Sequence, residues 1–168
     1  NEVLAIGCWT PIANTSINAN AQWNATLLKA DGSQFSVVFE NNEQGIVDWS
    51  LTGEHNVYNA LSAIVAANHI GILPRDAIAA LGQFINVKRR MEVIAHIHGV
   101  TVYDDFAHHP TAIATTLDGL RKQVGEERII AIVEPRSNTM RLGVHTETLA
   151  KSLGNADLAI IYQPKNLD

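Results

Sequence analysis

Four short stretches of this sequence gather side chains that can do chemistry. The first is Gly53-Glu54-His55-Asn56-Val57-Tyr58-Asn59. Asn56 and Asn59 stand three apart, so on a helix they share a face. A carboxamide both donates and accepts, which suits a purine edge or a phosphate oxygen. The free N–H groups of a helix start add an attraction for anions. Asn56 could instead be a plain helix cap, but Asn59 lies one turn in, where Asn is a poor helix former. The second stretch is Lys88-Arg89-Arg90. Arginine forks bind phosphate through paired hydrogen bonds, although a basic triplet also serves as a solvated linker. The third is Asp104-Asp105-Phe106-Ala107-His108-His109-Pro110. Its acids and imidazoles suit a nucleotide ribose, acid–base chemistry or a metal. Zinc is disfavoured, because adjacent histidines do not easily converge on one ion and no cysteine is near. The bland alternative makes His109 a helix cap and the acids surface charges. The fourth is Glu134-Pro135-Arg136-Ser137-Asn138-Thr139-Met140-Arg141. Arg136 and Arg141 could clamp carboxylates of a peptide, while Ser137, Asn138 and Thr139 could be capping residues.

These groups need elements to hold them. Residues 22–29 and 34–40 are rich in β-formers, with Asp31-Gly32 between them as a two-residue hairpin turn. Residues 46–51 suit a third strand, and the Asn-rich stretch 14–20 reads as loop. From Asn56 the apolar residues Val57, Ala60, Leu61, Ile64 and Val65 fall on one helical face, and Gly71 closes that helix. Pro74 opens a second helix over 75–84. Residues 85–90 then form the expected domain junction, dividing the chain into 1–87 and 88–168. Beyond it, residues 92–97 and 100–103 read as strands joined at His98-Gly99. Pro110 starts a helix carrying Ile113, Leu117, Leu120 and Val124. Residues 129–133 form an apolar strand of the kind buried in parallel sheets. Residues 139–153 read as a helix capped by Gly154, and 158–162 as a last strand. This β-α-β-α-β order predicts an α/β fold with a doubly wound sheet and right-handed crossovers. The third and fourth stretches then follow strand ends, where such sheets place ligand groups.

Composition narrows the classes. A formal charge of −5 argues against a nucleic-acid scaffold, which carries a basic face. A single cysteine, Cys8, excludes an internal disulfide and fits a reducing compartment. No apolar run is long enough to cross a bilayer, and no signal-peptide pattern is present. His69, His96, His98 and His145 stand apart from the clusters and read as structural or surface residues. Trp9, Trp23 and Trp49 are expected to fill core. Both ends break off mid-pattern and read as boundaries within a longer protein.

In this order, the four stretches resemble the Mur ligase family. Gly53-x-His55-Asn56-x-x-Asn59-Ala60 matches the asparagine motif of that family's central ATPase domain. Arg89-Arg90 matches the arginine at the entry to its C-terminal domain. Asp104-Asp105-x-x-His108-His109-Pro110 matches the acidic loop of that domain, in the form of its muramate-recognising members. The resemblance implies the end of the central ATPase domain (1–87) followed by the first part of a Rossmann-like C-terminal domain (88–168). It implies a bacterial, cytoplasmic, ATP- and Mg²⁺-dependent amide-bond ligase. The form of residues 134–143 implies a member joining UDP-N-acetylmuramate to the recycled tripeptide L-alanyl-γ-D-glutamyl-meso-diaminopimelate, with the L-alanine-adding member as the alternative. The family reaction passes through an acyl phosphate on the muramoyl carboxylate, which the acceptor amine attacks. By resemblance, His55, Asn56 and Asn59 belong to the nucleotide site, with Asn59 nearest the adenine. Arg90 meets phosphate or ribose and Asp105 holds the ribose. His108, His109, Arg136 and Arg141 face the acceptor, and His108 and Arg90 assist catalysis.

The chain also departs from the family pattern. It has no Gly-x-x-x-x-Gly-Lys-[Ser/Thr] phosphate loop. The modified lysine, the magnesium-binding Glu and His, and a UDP-binding domain are therefore expected upstream, and these 168 residues alone are not expected to turn over. Two other readings compete: a non-catalytic nucleotide-binding module, and a doubly wound domain with an acid–histidine metal site. The ligase reading requires two lobes, hinged near 87–90, that bring Asn59 and Asp105 to face one nucleotide.

Overall fold

The computed structural model describes residues 2–134 and 146–162. After a single turn of helix, α1 (Glu2–Ala5), the first lobe holds a four-stranded sheet in the order β1-β2-β3-β4. Its strands are β1 (Thr15–Ile17), β2 (Trp23–Leu27), β3 (Gln34–Phe39) and β4 (Asn42–Asp48). β1 pairs parallel with β2, and the others pair antiparallel. Alternate residues face inward, as the period of a strand demands: Trp23 and Ala25 from β2, Phe35 and Val37 from β3. Against them pack α2 (Glu54–His69) and α3 (Pro74–Gly82). The face expected of α2 is the one buried, through Val57, Ala60, Leu61 and Ile64. Trp23 stacks on Phe39 with ring centroids 4.2 Å apart, and Phe35 meets Trp49 edge-on. Trp9, expected in the core, is fully exposed.

Two further expectations fail here for local reasons. Asp31-Gly32 is not a two-residue hairpin. The last paired residues are Leu27 and Phe35, so the connection is wider. Within it the Asp31 carboxylate accepts from the Ser33 N–H and hydroxyl, and Gly32 takes positive φ beneath Val57. The tight turn is the next one, Glu40-Asn41, where both residues have positive φ between Phe39 and Asn42. The Asn-rich stretch is not all loop either, since it supplies β1.

The second lobe begins with the antiparallel hairpin of β5 (Glu92–Ile97) and β6 (Val100–Asp104). Its turn is His98-Gly99, as expected, with positive φ at both residues. Next come α4 (Pro110–Val124), β7 (Ile130–Val133), α5 (Thr146–Ser152) and β8 (Leu158–Ile161). β7 and β8 pair parallel, as the crossover order requires. Among the described residues β6 pairs with β5 and is not a neighbour of β7. The parallel sheet is thus two strands wide here. β7 is covered on one side only: Ala131 and Val133 pack against Ile113, Leu117, Leu120, Ile129 and Leu153, while Ile130 and Ile132 are exposed, and all four residues of β8 are exposed. No helix among the described residues is long and apolar enough to cross a membrane.

Candidate functional site

The lobes meet where α4 lies on the loop leading into α2. Gly119, inside α4, leaves the Cα and N of Gly53 only 3.0 Å from where a β-carbon would stand. Beside this backbone contact, Lys122 of α4 reaches Glu54 at 3.0 Å and Asp118 at 2.9 Å. A glycine in a helix interior costs about 1 kcal/mol relative to alanine, and here its absent side chain lets two backbones touch.

Next to the contact opens a cavity of about 950 Å³, walled by both lobes. The first lobe contributes His55, Asn56 and Asn59, and the second contributes Arg90 and Asp105. Each group has a local reason for its position. Gly53, with φ 93°, is the N-cap of α2 and packs against the His55 ring. Asn56 is therefore not the cap. Its amide Nδ2 donates to the Thr52 carbonyl at 2.8 Å, which turns its Oδ1 toward Asn59 Nδ2 at 3.5 Å. The two carboxamides share a face, as their spacing requires. The His55 pKa is lowered. Partial loss of solvent is the main cause, Asp105 pulls the other way, and Arg90 adds to the lowering.

Arg90 lies in a bent segment. Arg89 and Met91, on either side of it, have φ of 60° and 50°. Such left-handed backbone costs a non-glycine residue about 1–2 kcal/mol and persists only where surrounding bonds hold it. Asp105 supplies one such bond: its Oδ2 accepts the Met91 N–H at 2.9 Å, while Oδ1 accepts the Ala107 N–H at 2.7 Å. Each carboxylate oxygen keeps a further lone pair for a ligand hydroxyl. Both guanidinium groups lie near the Phe106 ring, Arg89 at 5.4 Å and Arg90 at 5.8 Å from its centroid.

His108 and His109 are not among the residues that line this cavity. His109 caps α4, accepting the Thr111 N–H at its Nδ1, so the bland reading describes its backbone-facing side. His108 lies edge-on to Phe106, with Nδ1 3.0 Å from the Phe106 carbonyl. A carbonyl only accepts, so Nδ1 is the donor in this contact. Arg136, Arg141 and His145 lie outside the described residues. Sequence reasoning missed Asn86 and Glu92, which also line the cavity.

The cavity suits a nucleotide in size and chemistry. Small-molecule sites span roughly 300–1,000 Å³, and its donors and acceptors match a base edge, a ribose and phosphates. Among the described residues no group of three or more His, Cys, Asp or Glu is arranged to hold a metal ion.

Residues 7–67 match the Mur ligase middle domain, and residues 89–168 match the Mur ligase glutamate ligase domain. The chain belongs to the Mur ligase family. Within that family, the UDP-N-acetylmuramate–L-alanyl-γ-D-glutamyl-meso-2,6-diaminoheptandioate ligase of Escherichia coli is 48% identical over 99% of this chain. The equivalent protein of Haemophilus influenzae is 46% identical over the same share. The chain spans 36% of the length of each. A murein peptide ligase from Psychrobacter arcticus superimposes over 98% of this chain and 35% of its own, with a TM-score of 0.68 and 50% identity. The UDP-N-acetylmuramate–alanine ligase of Thermotoga maritima reaches a TM-score of 0.70 over 84% of this chain and 32% of its own, at 24% identity, and so shares the Mur ligase fold. The two matched Mur ligase domains leave 68–88 between them, and that interval contains α3 and most of the segment leading to Arg90.

Proposed function

We propose that this chain supplies the hinge and two cavity walls of an ATP-dependent ligase that joins UDP-N-acetylmuramate to L-alanyl-γ-D-glutamyl-meso-diaminopimelate in peptidoglycan recycling. The observation that carries this reading is the shared cavity, with Asn56 and Asn59 on one wall and Arg90 and Asp105 on the other. The boundary between the lobes falls at 87/88, and the ligase works in the bacterial cytoplasm. ATP would supply the phosphoryl group that activates the muramoyl carboxylate, with Mg²⁺ ligands contributed from outside this span.

The residues divide the work by chemistry. The Asn59 carboxamide meets the edge of the purine, where a group that both donates and accepts is needed. Asn56, tied to Thr52, orients Asn59 and offers its own oxygen. His55, its pKa lowered, stays neutral near pH 7 and adds no charge against Arg90. Arg90 balances phosphate charge as it develops, and Asp105 accepts from the ribose. The His108 Nε2 faces the acceptor amine as a proton acceptor. His109, Arg136 and Arg141 bind acceptor carboxylates.

The preference for a peptide over L-alanine rests on the relatives. Two proteins named for the tripeptide are 48% and 46% identical over 99% of this chain. The Ruegeria pomeroyi protein named for L-alanine is 38% identical over 87%. The test is ADP release by the full-length protein containing this chain, supplied with ATP, UDP-N-acetylmuramate and either acceptor. Release should require the tripeptide and be slight with L-alanine. Equal or greater release with L-alanine would reassign the acceptor, and none with either would end the ligase reading.

A further inference from the structure

Arg90 carries a long, exposed side chain, and apart from the Phe106 ring beside it, its backbone sets its direction. That backbone is tethered at four polar groups. The Arg89 N–H donates to Glu92 Oε2 at 2.9 Å. The Arg89 carbonyl accepts the Phe106 N–H at 2.8 Å. The Arg90 carbonyl accepts from Asn86 Nδ2 at 2.8 Å. The Met91 N–H donates to Asp105 at 2.9 Å. Asp105 has a direct part in the nucleotide site, and the Phe106 group is backbone. Asn86 and Glu92 are the two side-chain tethers with no part yet.

Both line the cavity, and Glu92 looks misplaced there. A carboxylate repels nucleotide phosphates, and Glu92 is also paired across the hairpin with Asp104, a like charge. The geometry gives each acid a partner. The Glu92 carboxylate is occupied by the Arg89 N–H, and the Arg89 Nε lies 3.1 Å from Asp104. Asn86 is likewise committed, because its Oδ1 accepts the Val87 N–H at 2.9 Å and so fixes the plane of the amide that holds Arg90. The two tethers lie on opposite sides of Arg90 in the chain and bracket the left-handed residues Arg89 and Met91.

We propose that Asn86 and Glu92 are positioning residues that hold the segment 89–91 in its left-handed bend and so direct Arg90 at the nucleotide, an assignment that rests on Arg90 meeting nucleotide phosphate. Loss of either tether lets the bend relax toward ordinary backbone and swings the guanidinium away. Neither residue contacts the nucleotide in this account; each acts through Arg90.

The experiment is steady-state kinetics of the full-length protein with Glu92→Ala, Glu92→Gln, Asn86→Ala, Arg90→Ala and the double variant Glu92→Ala/Arg90→Ala. Glu92→Ala and Asn86→Ala should each raise the KM for ATP about tenfold or more, as small misplacements of charged groups do, while the KM for UDP-N-acetylmuramate changes little. Glu92→Gln should recover most of the loss, because its side-chain oxygen accepts the same N–H. In the Arg90→Ala background Glu92→Ala should add nothing, since the group it positions is gone. An equal rise in both backgrounds, or a KM for ATP within twofold of the parent in both tether variants, would overturn the assignment. Should Glu92→Ala fail to fold, Asn86→Ala carries the same test from the other side. An Arg90→Ala variant with unchanged KM for ATP would overturn the nucleotide-site reading itself, an outcome distinct from additivity.

Discussion

The two lobes wall the same cavity but are held together differently. In the first, twelve buried apolar residues form one cluster, and Phe35, Val37, Val47, Val57, Leu61 and Ile64 are all 0% exposed. In the second, the buried cluster has five residues, each still 5–9% exposed, and one face of β7 is open. Polar ties compensate there. The Arg121 guanidinium bonds the carbonyls of Gly125, Glu127 and Asn155 and the carboxylate of Asp157, which in turn accepts the Ile129 N–H. The first lobe is thus a wall made chiefly by packing, and the second is a wall that leans more on directed bonds. The proposed ligase, closing around a nucleotide, would have use for both.

The sharpest way to break this contrast is to cut each core equally. Leu61→Ala should cost about 3–5 kcal/mol, because its site is sealed and cannot collapse. Leu117→Ala, 7% exposed beside a thinner cluster, should cost about 2 kcal/mol. The readouts separate the lobes, since all three tryptophans lie within the first fifty residues. Urea unfolding followed by tryptophan emission reports the first lobe, and circular dichroism reports both. Coincident losses for the two variants would erase the distinction between a packed wall and a bonded one.

Arg121 tests the other half of the comparison. Arg121→Lys keeps the charge but not the fork, so it should destabilise the second lobe by about 1.5–3 kcal/mol, the range for bonds to charged groups. The loss should be visible in circular dichroism and largely silent in tryptophan emission. Smaller still is the expected effect of Gly119→Ala on stability, within about 1 kcal/mol, because a gain in helix propensity offsets the new contact. Its β-carbon would nonetheless meet Gly53 backbone at 3.0 Å and push the walls apart. The KM for ATP should therefore rise several-fold while the melting temperature barely moves. A fall in melting temperature with an unchanged KM would show that this contact does not set the width of the cavity.

Much of the packed wall was legible in the sequence, and less of the bonded one. The face of α2 followed from apolar spacing, because burial and helical period agree at Val57, Leu61 and Ile64. The His98-Gly99 turn followed from local chemistry. Glu40-Asn41 did not, because it is a tight turn without glycine. β1 escaped because its partner strand is parallel and two of its three residues are polar. That Asn56, Asn59, Arg90 and Asp105 would come together was implied by the resemblance to the Mur ligases and not by the residue types alone. Asn86 and Glu92 escaped for a physical reason: their partners are backbone groups of a bend, and no residue-type pattern marks a bend that side chains impose. Trp9 was misread because an aromatic residue says where it could be buried and not whether anything covers it.

The last prediction concerns acid, and it separates the walls by pH without a large change in either. His55 at the lobe boundary has its pKa lowered, so the unfolded chain takes up its proton first as pH falls. Its contribution to stability is complete above about pH 6.5, the ordinary histidine value, and is lost from there down to its folded pKa. Asp157 in the second lobe is also lowered, chiefly by the Ile129 N–H and then by Arg121. Its contribution is complete above about pH 4, the ordinary aspartate value, and fades as pH falls through its lower folded pKa. Acid should therefore weaken the boundary first and the second lobe afterwards. Unfolding of wild type and His55→Gln, measured from pH 8 to pH 3, should show a shallow slope just below 6.5 that the variant lacks, with the steeper acid limb common to both. If the variant keeps the shallow slope, another group titrates at the boundary, and the neutral imidazole assigned to the cavity loses its support.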